Sequence, residues 1–572
     1  MGYQLLEVLN REPDKEFLKK KFKYFLKDEL FSSSLSSATA TNFSRTSSSF
    51  VSYGRIHFRP NPFYLYGRIH LDTQTSFIYK ETGLDGLAEI SRICRIPLQT
   101  ASRATIGKCL SSLYFYNAQK EQILVPWKPV TSENFKTFAS LLDADKGGFI
   151  FESKPGLYEK VAEFDFVSLY PSIMLQKNIS SETINCDCCR DEKDNKVPKL
   201  EHLYHICKRK TGIVPLSLKT ILDRRLEYKK RKKMNNSYCH SSISDIKNKY
   251  KDNELRNCYD KRQAALKWIL VTSFGYLGFN NSKFGRIDAH IAVCAFARDI
   301  LLKTSKVVET YGFEIIHGIV DSIWIRRRKK NIDIKTVNLD DKIIYENLKK
   351  EIENNTGFSI SFEGLYKWIV FDSSKKDLEM SALNRYFGAF EDGTIKARGI
   401  ELRRHDTPPL FSRFQNELLQ YLSTKDNIDE NVKSLLPSLE KIYKKYRDLL
   451  NNRRSVHFSD LVFTKRISKN SDGYSFNDDS SNSNSNSNSR RKEKRKRKTI
   501  ESCIVNILSD YGKSLSAGQE IKYIITDFNN KNPAKRAIPI ELVEQDSNLV
   551  YDSARYCKLL DDCYTSIIKY FK

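Results

Sequence analysis

Apolar and polar positions divide this chain into blocks, and the most informative block is residues 161–174, VAEFDFVSLYPSIM. Strand-forming residues surround Asp165 and run into Ser168-Leu169-Tyr170-Pro171-Ser172. The pattern predicts a strand whose end presents a carboxylate to a cleft, followed by a turn held by Pro171. A lone Asp more commonly caps a following helix, and this stretch alone leaves that reading open. Residues 311–325, YGFEIIHGIVDSIWI, predict strand, tight turn and strand, with a second lone acid, Asp321, after Gly318. Asp321 read by itself is as well explained as a turn residue.

The remaining blocks follow from the same periodicities. GLDGLAEISRICRIPL has helical spacing and ends at Pro97, and residues 101–127 predict one or two further helices. Gly147-Gly148 precede a short strand, FIFES, and a Pro155-Gly156 turn. Residues 213–270 predict a helical hairpin with a Ser/Asn-rich tip. Residues 360–402 are β-rich, with Asp392-Gly393 as a hairpin signal. Residues 407–465 are helical by period. Residues 466–500, a Ser/Asn run followed by RRKEKRKRK, predict an unfolded linker, and order resumes at Ile500. At the front, a charged helical stretch from Asp14 to Leu30 leads into a Ser/Thr-rich tract.

Charge changes the picture next. There are 96 Lys and Arg against 70 Asp and Glu, a net +26, which favours a polyanionic partner, nucleic acid first. Long apolar runs of membrane-spanning length are absent from the sequence, so no membrane role is expected. The 12 cysteines predict reduced thiols. Cys186, Cys188, Cys189, His202, His205 and Cys207 form the densest group of soft ligands. Their spacing is not that of a standard finger. A zinc site drawn from Cys186, Cys189, His205 and Cys207, or reduced thiols in a small loop or hairpin, both fit. On the helical arms, Arg225 and Lys229 are four apart and share a face. Lys267 stands where its helix turns apolar. Cations of this kind suit a triphosphate. Two lone acids at strand ends suit a pair of divalent ions.

Three of these blocks in order resemble the sequence motifs of family B DNA polymerases. They are DFVSLYPS at 165–172, KRQAALKWILVTSFGYLG at 261–278 and HGIVDS at 317–322. ARGIELRRHD at 397–406 resembles the family's palm-to-thumb motif, and SAGQEIKYIITD, KRAIPIELV and YDSARY resemble its thumb. The resemblance implies an α+β multidomain right-hand polymerase, with an antiparallel palm sheet, a helical fingers hairpin, a mixed thumb and a truncated exonuclease-like N-terminal remnant. The implied layout is a charged, low-complexity segment at 1–60 and the remnant at 61–148. The palm would follow at 149–190, the fingers at 191–285, the rest of the palm at 286–404 and the thumb at 405–572. Asp165, Asp321 and the carbonyl of Phe166 would hold two Mg²⁺ ions, with Mn²⁺ able to substitute. Ser168, Leu169, Tyr170, Arg225, Lys229, Lys267 and Phe274 would bind the nucleotide, Tyr170 as a steric gate against ribose. Gly275, Ser322, Arg398, Gly399, Arg403 and Arg404 would meet primer–template DNA.

The implied activity is template-directed addition of dNTPs to a primer 3′ end, without proofreading, in repair or lesion bypass. A sliding clamp or other replication proteins are expected partners, and the expected location is cytoplasmic, associated with the nucleoid, or nuclear in a eukaryote. The sequence also departs from the family. In the motif usually read as YGDTDS, His317, Ile319 and Val320 replace the Tyr, the first Asp and the Thr. Val271 and Phe274 replace an Asn and a Tyr, and Asn384 replaces a Lys. These changes admit an alternative: a catalytically weakened homologue serving as a DNA-binding accessory protein.

Overall fold

The computed structural model describes residues 48–52, 55–60, 68–73, 75–125, 127, 133–192, 194–237, 246–328, 341–374, 377–425, 428–452, 456–474, 499–543 and 549–571. The expected charged helix and Ser/Thr tract before residue 48 lie outside them, as does the tip of the helical hairpin.

In chain order, strands β1 (Ser48–Ser52) and β2 (Arg55–Arg59) precede helices α1 (Phe77–Ile93), α2 (Leu98–Ala101), α3 (Ile106–Lys120) and α4 (Phe138–Ala144). Then come β3 (Ile150–Phe151), β4 (Gly156–Phe166), α5 (Leu169–Gln176), α6 (Ile213–Ser237), α7 (Ile246–Leu277) and α8 (Ile287–Thr310). A hairpin, β5 (Phe313–Ile319) and β6 (Ser322–Arg327), is followed by α9 (Asp341–Thr356), β7 (Ile360–Ser373), β8 (Ser381–Phe390) and β9 (Ile395–Arg398). The last part holds α10 (Pro409–Ser423), α11 (Ile428–Asn451), β10 (Phe463–Arg466), α12 (Ile500–Asp510), β11 (Glu520–Ile525), β12 (Ala537–Pro539), α13 (Ile540–Val543) and α14 (Ser553–Ile568).

These elements form two compact units, residues 1–112 with 225–266, and residues 113–224 with 267–572. In the first unit, the outer parts of α6 and α7 pair as the expected hairpin. Tyr228 stacks on Tyr259 at 5.9 Å, and Lys232 bridges Asp260 at 2.5 Å. Helix α1 kinks at Gly83 (φ 63) and comes so close to α7 that a Cβ on Gly86 would lie 3.1 Å from Ala265.

The second unit is built on a seven-stranded antiparallel sheet of order β3-β5-β6-β4-β7-β8-β9. β4 lies in the middle between β6 and β7. The register of β7 against β8 shifts between Tyr366 and Trp368. A one-residue shift moves side chains to the opposite face. Tyr366 accordingly shares a core with Ile369, Phe371, Val161, Trp324 and Tyr386. Trp368 and Val370 join the other face, packed on Leu410, Phe411, Phe414 and Leu418 of α10. That second core runs on through α11, α12, α14 and the small sheet β10-β11-β12.

Several expectations change. The strand FIFES shortens to Ile150–Phe151. The helical period read through residue 465 gives way to a 3₁₀ turn (Phe458–Leu461) and β10. Pro171 does not hold a turn. It is the third residue of α5, where the helix has no partner for an N–H anyway. Order also extends into the predicted 466–500 linker. Ile467 N–H donates to Gln519, and Ser471 exchanges hydrogen bonds with Leu515. Composition marked the polar Ser/Asn run but not these partners far along the chain. Residues 475–498 lie outside the described set.

Candidate active site

Asp165 is the penultimate residue of β4, opposite Ser322 of β6 and Ser361 of β7. It does not cap α5. That place is taken by Ser168, in left-handed conformation (φ 54, ψ 51). Asp321 lies in the two-residue connection between β5 and β6. The backbone N–H of Phe166 donates to the Asp321 carbonyl at 2.9 Å, so the two acids come together at one end of the sheet. The Ser322 hydroxyl donates to Asp165 Oδ1 at 2.7 Å, and the Ser361 hydroxyl donates to the Asp165 carbonyl at 3.0 Å.

Burial pushes the Asp321 carboxyl up to about 6, and the charge of Asp165 adds to the rise, against the pull of Arg398 and Lys267. Burial also raises Asp165, opposed by the Ser322 hydrogen bond and by Lys396 and Lys267, while Glu363 adds repulsion. Two partly buried carboxylates, one disfavouring the other's charge, call for a cation. Oxygen donors of this kind suit Mg²⁺ or Mn²⁺, so the residues present fit such ions.

The connection carrying Asp321 is strained. Val320 has φ 61, and the N–H of Asp321 donates to Ile319 two residues back at 2.8 Å. A β-branched residue at positive φ is a genuine outlier. Such outliers cost about 1–3 kcal/mol and gather at functional sites.

Beside the acids is an aromatic stack. The rings of Tyr170 and Phe274 lie 4.4 Å apart, and Phe274 stacks on His290 at 4.0 Å. A Cβ on Gly148 would come within 3.2 Å of the Tyr170 hydroxyl. Burial, then the charges of Cys294 and Asp321, raise the Tyr170 phenol. Arg298 donates to the Gly147 carbonyl at 2.5 Å.

Sequence reasoning missed the other acids around Asp165. Two residues earlier on the same face of β4, Glu163 is 1% exposed. It accepts from Lys396 at 2.6 Å and from Tyr366 at 2.7 Å. The alternation Glu163-Phe164-Asp165 was the signal for it. Glu363, which accepts from Ser361 at 2.7 Å, had no such signal.

The other expected site residues fall as follows. Gly399 has φ 72, and a Cβ there would meet the Asn384 carbonyl at 2.4 Å, so only glycine fits. Arg398, before it, and Arg403 are exposed. Arg404 forms a two-pronged pair with Asp406, at 2.9 Å for each contact, and Lys465 also reaches Asp406 at 2.9 Å. Leu169 is buried, and Gly275 is half-buried on α7. Arg225, buried, and Lys229, half-buried, belong to the first unit, on the outer part of α6. Of the expected zinc ligands, Cys186, Cys189 and Cys207 come together, and Cys188 joins them. His205 stands aside, with Nε2 2.7 Å from the Cys186 carbonyl oxygen.

The family model for DNA polymerase family B matches residues 96–569. Among curated relatives, "DNA polymerase 2" of Saccharolobus solfataricus is 30% identical over 360 residues, 63% of this chain and 48% of that protein. "DNA polymerase" of Archaeoglobus fulgidus is 27% identical over 343 residues, 59% of this chain and 37% of that protein. The chain thus spans about half the length, or less, of these relatives. The fold is similar to the family B DNA polymerase of Pyrobaculum calidifontis, with TM-score 0.54 and 21% identity, over 86% of this chain and 54% of that one.

Proposed function

Because the chain belongs to DNA polymerase family B, we propose that it is a template-directed DNA polymerase, adding dNTPs to a primer 3′ end. The observation that carries this reading is the Phe166–Asp321 backbone hydrogen bond, which brings two partly buried carboxylates together within the electrostatic reach of Lys267. Asp165, Asp321 and the Phe166 carbonyl would hold the divalent ions. When bound, such ions lower the barrier to attack by the primer hydroxyl and steady the triphosphate and leaving pyrophosphate.

The chain's own groups do the rest in this reading. Lys267 offsets triphosphate charge. Phe274 gives the nascent base pair a platform and backs the ring of Tyr170, which occupies the space a 2′ hydroxyl needs. Ser322 holds the Asp165 carboxylate in one orientation. Arg398 and Arg403 meet backbone phosphates, which sets register and salt dependence without reading sequence. Arg404 reaches DNA only by leaving Asp406. Synthesis without proofreading belongs to the same reading. A polymerase of this kind suits repair or lesion bypass.

Primer extension with Mg²⁺ tests the reading. A ladder from the unvaried chain that vanishes in Asp165→Ala and in Asp321→Ala supports it. Tight, salt-sensitive DNA binding with no incorporation points instead to an accessory DNA-binding protein.

A further inference from the structure

Away from the carboxylates, between α5 and α6, the chain draws four thiols into one knot. Cys186, Cys188 and Cys189 lie on and beside a 3₁₀ turn (Asp187–Cys189), and Cys207 returns to them from a short bridged loop. The Sγ atoms of Cys188 and Cys189 are 3.6 Å apart, those of Cys188 and Cys207 are 3.6 Å apart, and those of Cys189 and Cys207 are 4.0 Å apart. All four sulfurs fall within 4.8 Å of one another. A tetrahedron of thiolates about 2.3 Å from a central Zn²⁺ has edges of about 3.8 Å. The cluster therefore has the size of a mononuclear tetrathiolate. A polynuclear iron–sulfur cluster would need room for its own iron and sulfide atoms between the thiolates.

The surroundings are those of a supported metal site. Buried Asn195 donates through Nδ2 to the carbonyls of Cys189 (3.0 Å) and Ile206 (2.9 Å), clamping both arms of the loop. The backbone N–H groups of Arg209 and Lys210 act on the Cys207 sulfur. The His205 ring is occupied with the Cys186 carbonyl, which fixes the first ligand's backbone.

We propose that Cys186, Cys188, Cys189 and Cys207 are the ligands of one Zn²⁺ ion that locks the 186–207 loop at the foot of α6. Each thiol loses its proton to solvent as the ion binds, and no electron is transferred. The loop is continuous with the start of α6. Asn178 donates to the carbonyls of Cys207 (2.8 Å) and Lys210 (2.7 Å), and Glu182 accepts from the Ile213 N–H at 2.6 Å. The ion thus braces the base of the helix that carries Arg225 and Lys229.

Metal analysis of the purified full-length chain is the test. One zinc per chain is expected, released as a mercurial titrates the thiols. Cys188→Ser and Cys207→Ser should each cut the zinc content at least tenfold, while His205→Ala and Cys258→Ser should keep it. Co²⁺ in place of Zn²⁺ should give the strong visible absorption of a tetrahedral cobalt thiolate. If the cysteine variants fail to fold, the mercurial titration and the Co²⁺ spectrum of the unvaried chain decide. The proposal is overturned by a reduced chain that takes up no Zn²⁺ from added ZnCl₂, by a disulfide among these cysteines in the purified protein, or by His205→Ala losing zinc as fully as Cys188→Ser.

Discussion

Ser322 donates its hydroxyl to Oδ1 of Asp165 at 2.7 Å, across the pair of strands that brings the two acids together. A hydrogen bond to a charged group is worth about 1.5–3 kcal/mol. It favours the carboxylate form that a divalent cation needs. Ser322→Ala should therefore lower primer extension at limiting Mg²⁺ by about tenfold, the equivalent of 1.4 kcal/mol. Raising Mg²⁺ should restore most of the rate. A Mg²⁺ titration checks this: an unchanged midpoint would remove Ser322 from any part in holding Asp165.

Asp321, raised to about 6, binds its proton more tightly than an unfolded aspartate does. In the metal-free protein its contribution to stability is nil below the unfolded value. It becomes unfavourable as pH climbs past the ordinary aspartate range, and the loss is complete above about 6. Asp321→Asn should thus stabilise the metal-free chain at pH 7.5 by about 1 kcal/mol, discounted for partial exposure, and by nothing near pH 3. Mg²⁺ should reverse the order by stabilising only the unvaried chain. Thermal melts at both pH values, with and without Mg²⁺, give the answer. Equal effects at the two pH values would contradict it.

These two residues also mark how far the sequence could be read. Asp165 and Asp321 could be singled out as candidates because each falls at the end of a strand-like run, and Tyr170, Lys267 and Phe274 because they fall in ordered blocks around them. Glu163 was legible in principle from the two-residue period of β4. Glu363 and Ser361 were not. Their place depends on the register of β7, which shifts against β4 between Glu163 and Phe164, and a bulge carries no compositional mark. The ligand group had a similar blind spot. A 3₁₀ turn brings Cys188 to the other thiols and backbone bonding draws His205 aside, and neither follows from spacing.

Val320 turns the chain at φ 61 where glycine would meet no strain. Val320→Gly should relieve about 1–3 kcal/mol of backbone strain. Greater freedom in the unfolded chain returns about 0.5–1 kcal/mol of that. The net expectation is a gain of about 1 kcal/mol in denaturant unfolding, with Asp321 left free to take more than one orientation. Extension should fall even as stability rises. A variant less stable than the parent would show that the turn is held by packing of the valine and not against its preference.

Burial raises the Glu163 carboxyl, and Lys396 and Tyr366 oppose the rise. Removing the cation alone strands the charge. Lys396→Met should cost about 2–4 kcal/mol at pH 7.5 and less at a lower pH, as Glu163 takes up a proton. Glu163→Gln with Lys396→Met should recover much of the loss, since the amide can still accept from Tyr366. Urea unfolding of both variants at the two pH values checks the idea. A cost independent of pH would mean that lost packing, not the unpaired carboxylate, is responsible.

The Tyr170 ring is braced by Phe274 at 4.4 Å, and Phe274 in turn by His290 at 4.0 Å. A gate made of one ring excludes a hydroxyl only if that ring cannot swing away. Tyr170→Ala should therefore admit ribonucleotides outright. Phe274→Ala should admit them in part, because it removes the support and leaves the gate. One hydroxyl in a shaped pocket is worth about 1–3 kcal/mol, so the preference for dNTP over rNTP should fall by about 10–200-fold in Tyr170→Ala. A smaller fall is expected in Phe274→Ala. The ratio of kcat/KM for dNTP and rNTP on one primer–template measures both. If Phe274→Ala slowed the two substrates equally, the stack would serve the base pair alone, and Tyr170 would hold its place through the close approach of Gly148 instead.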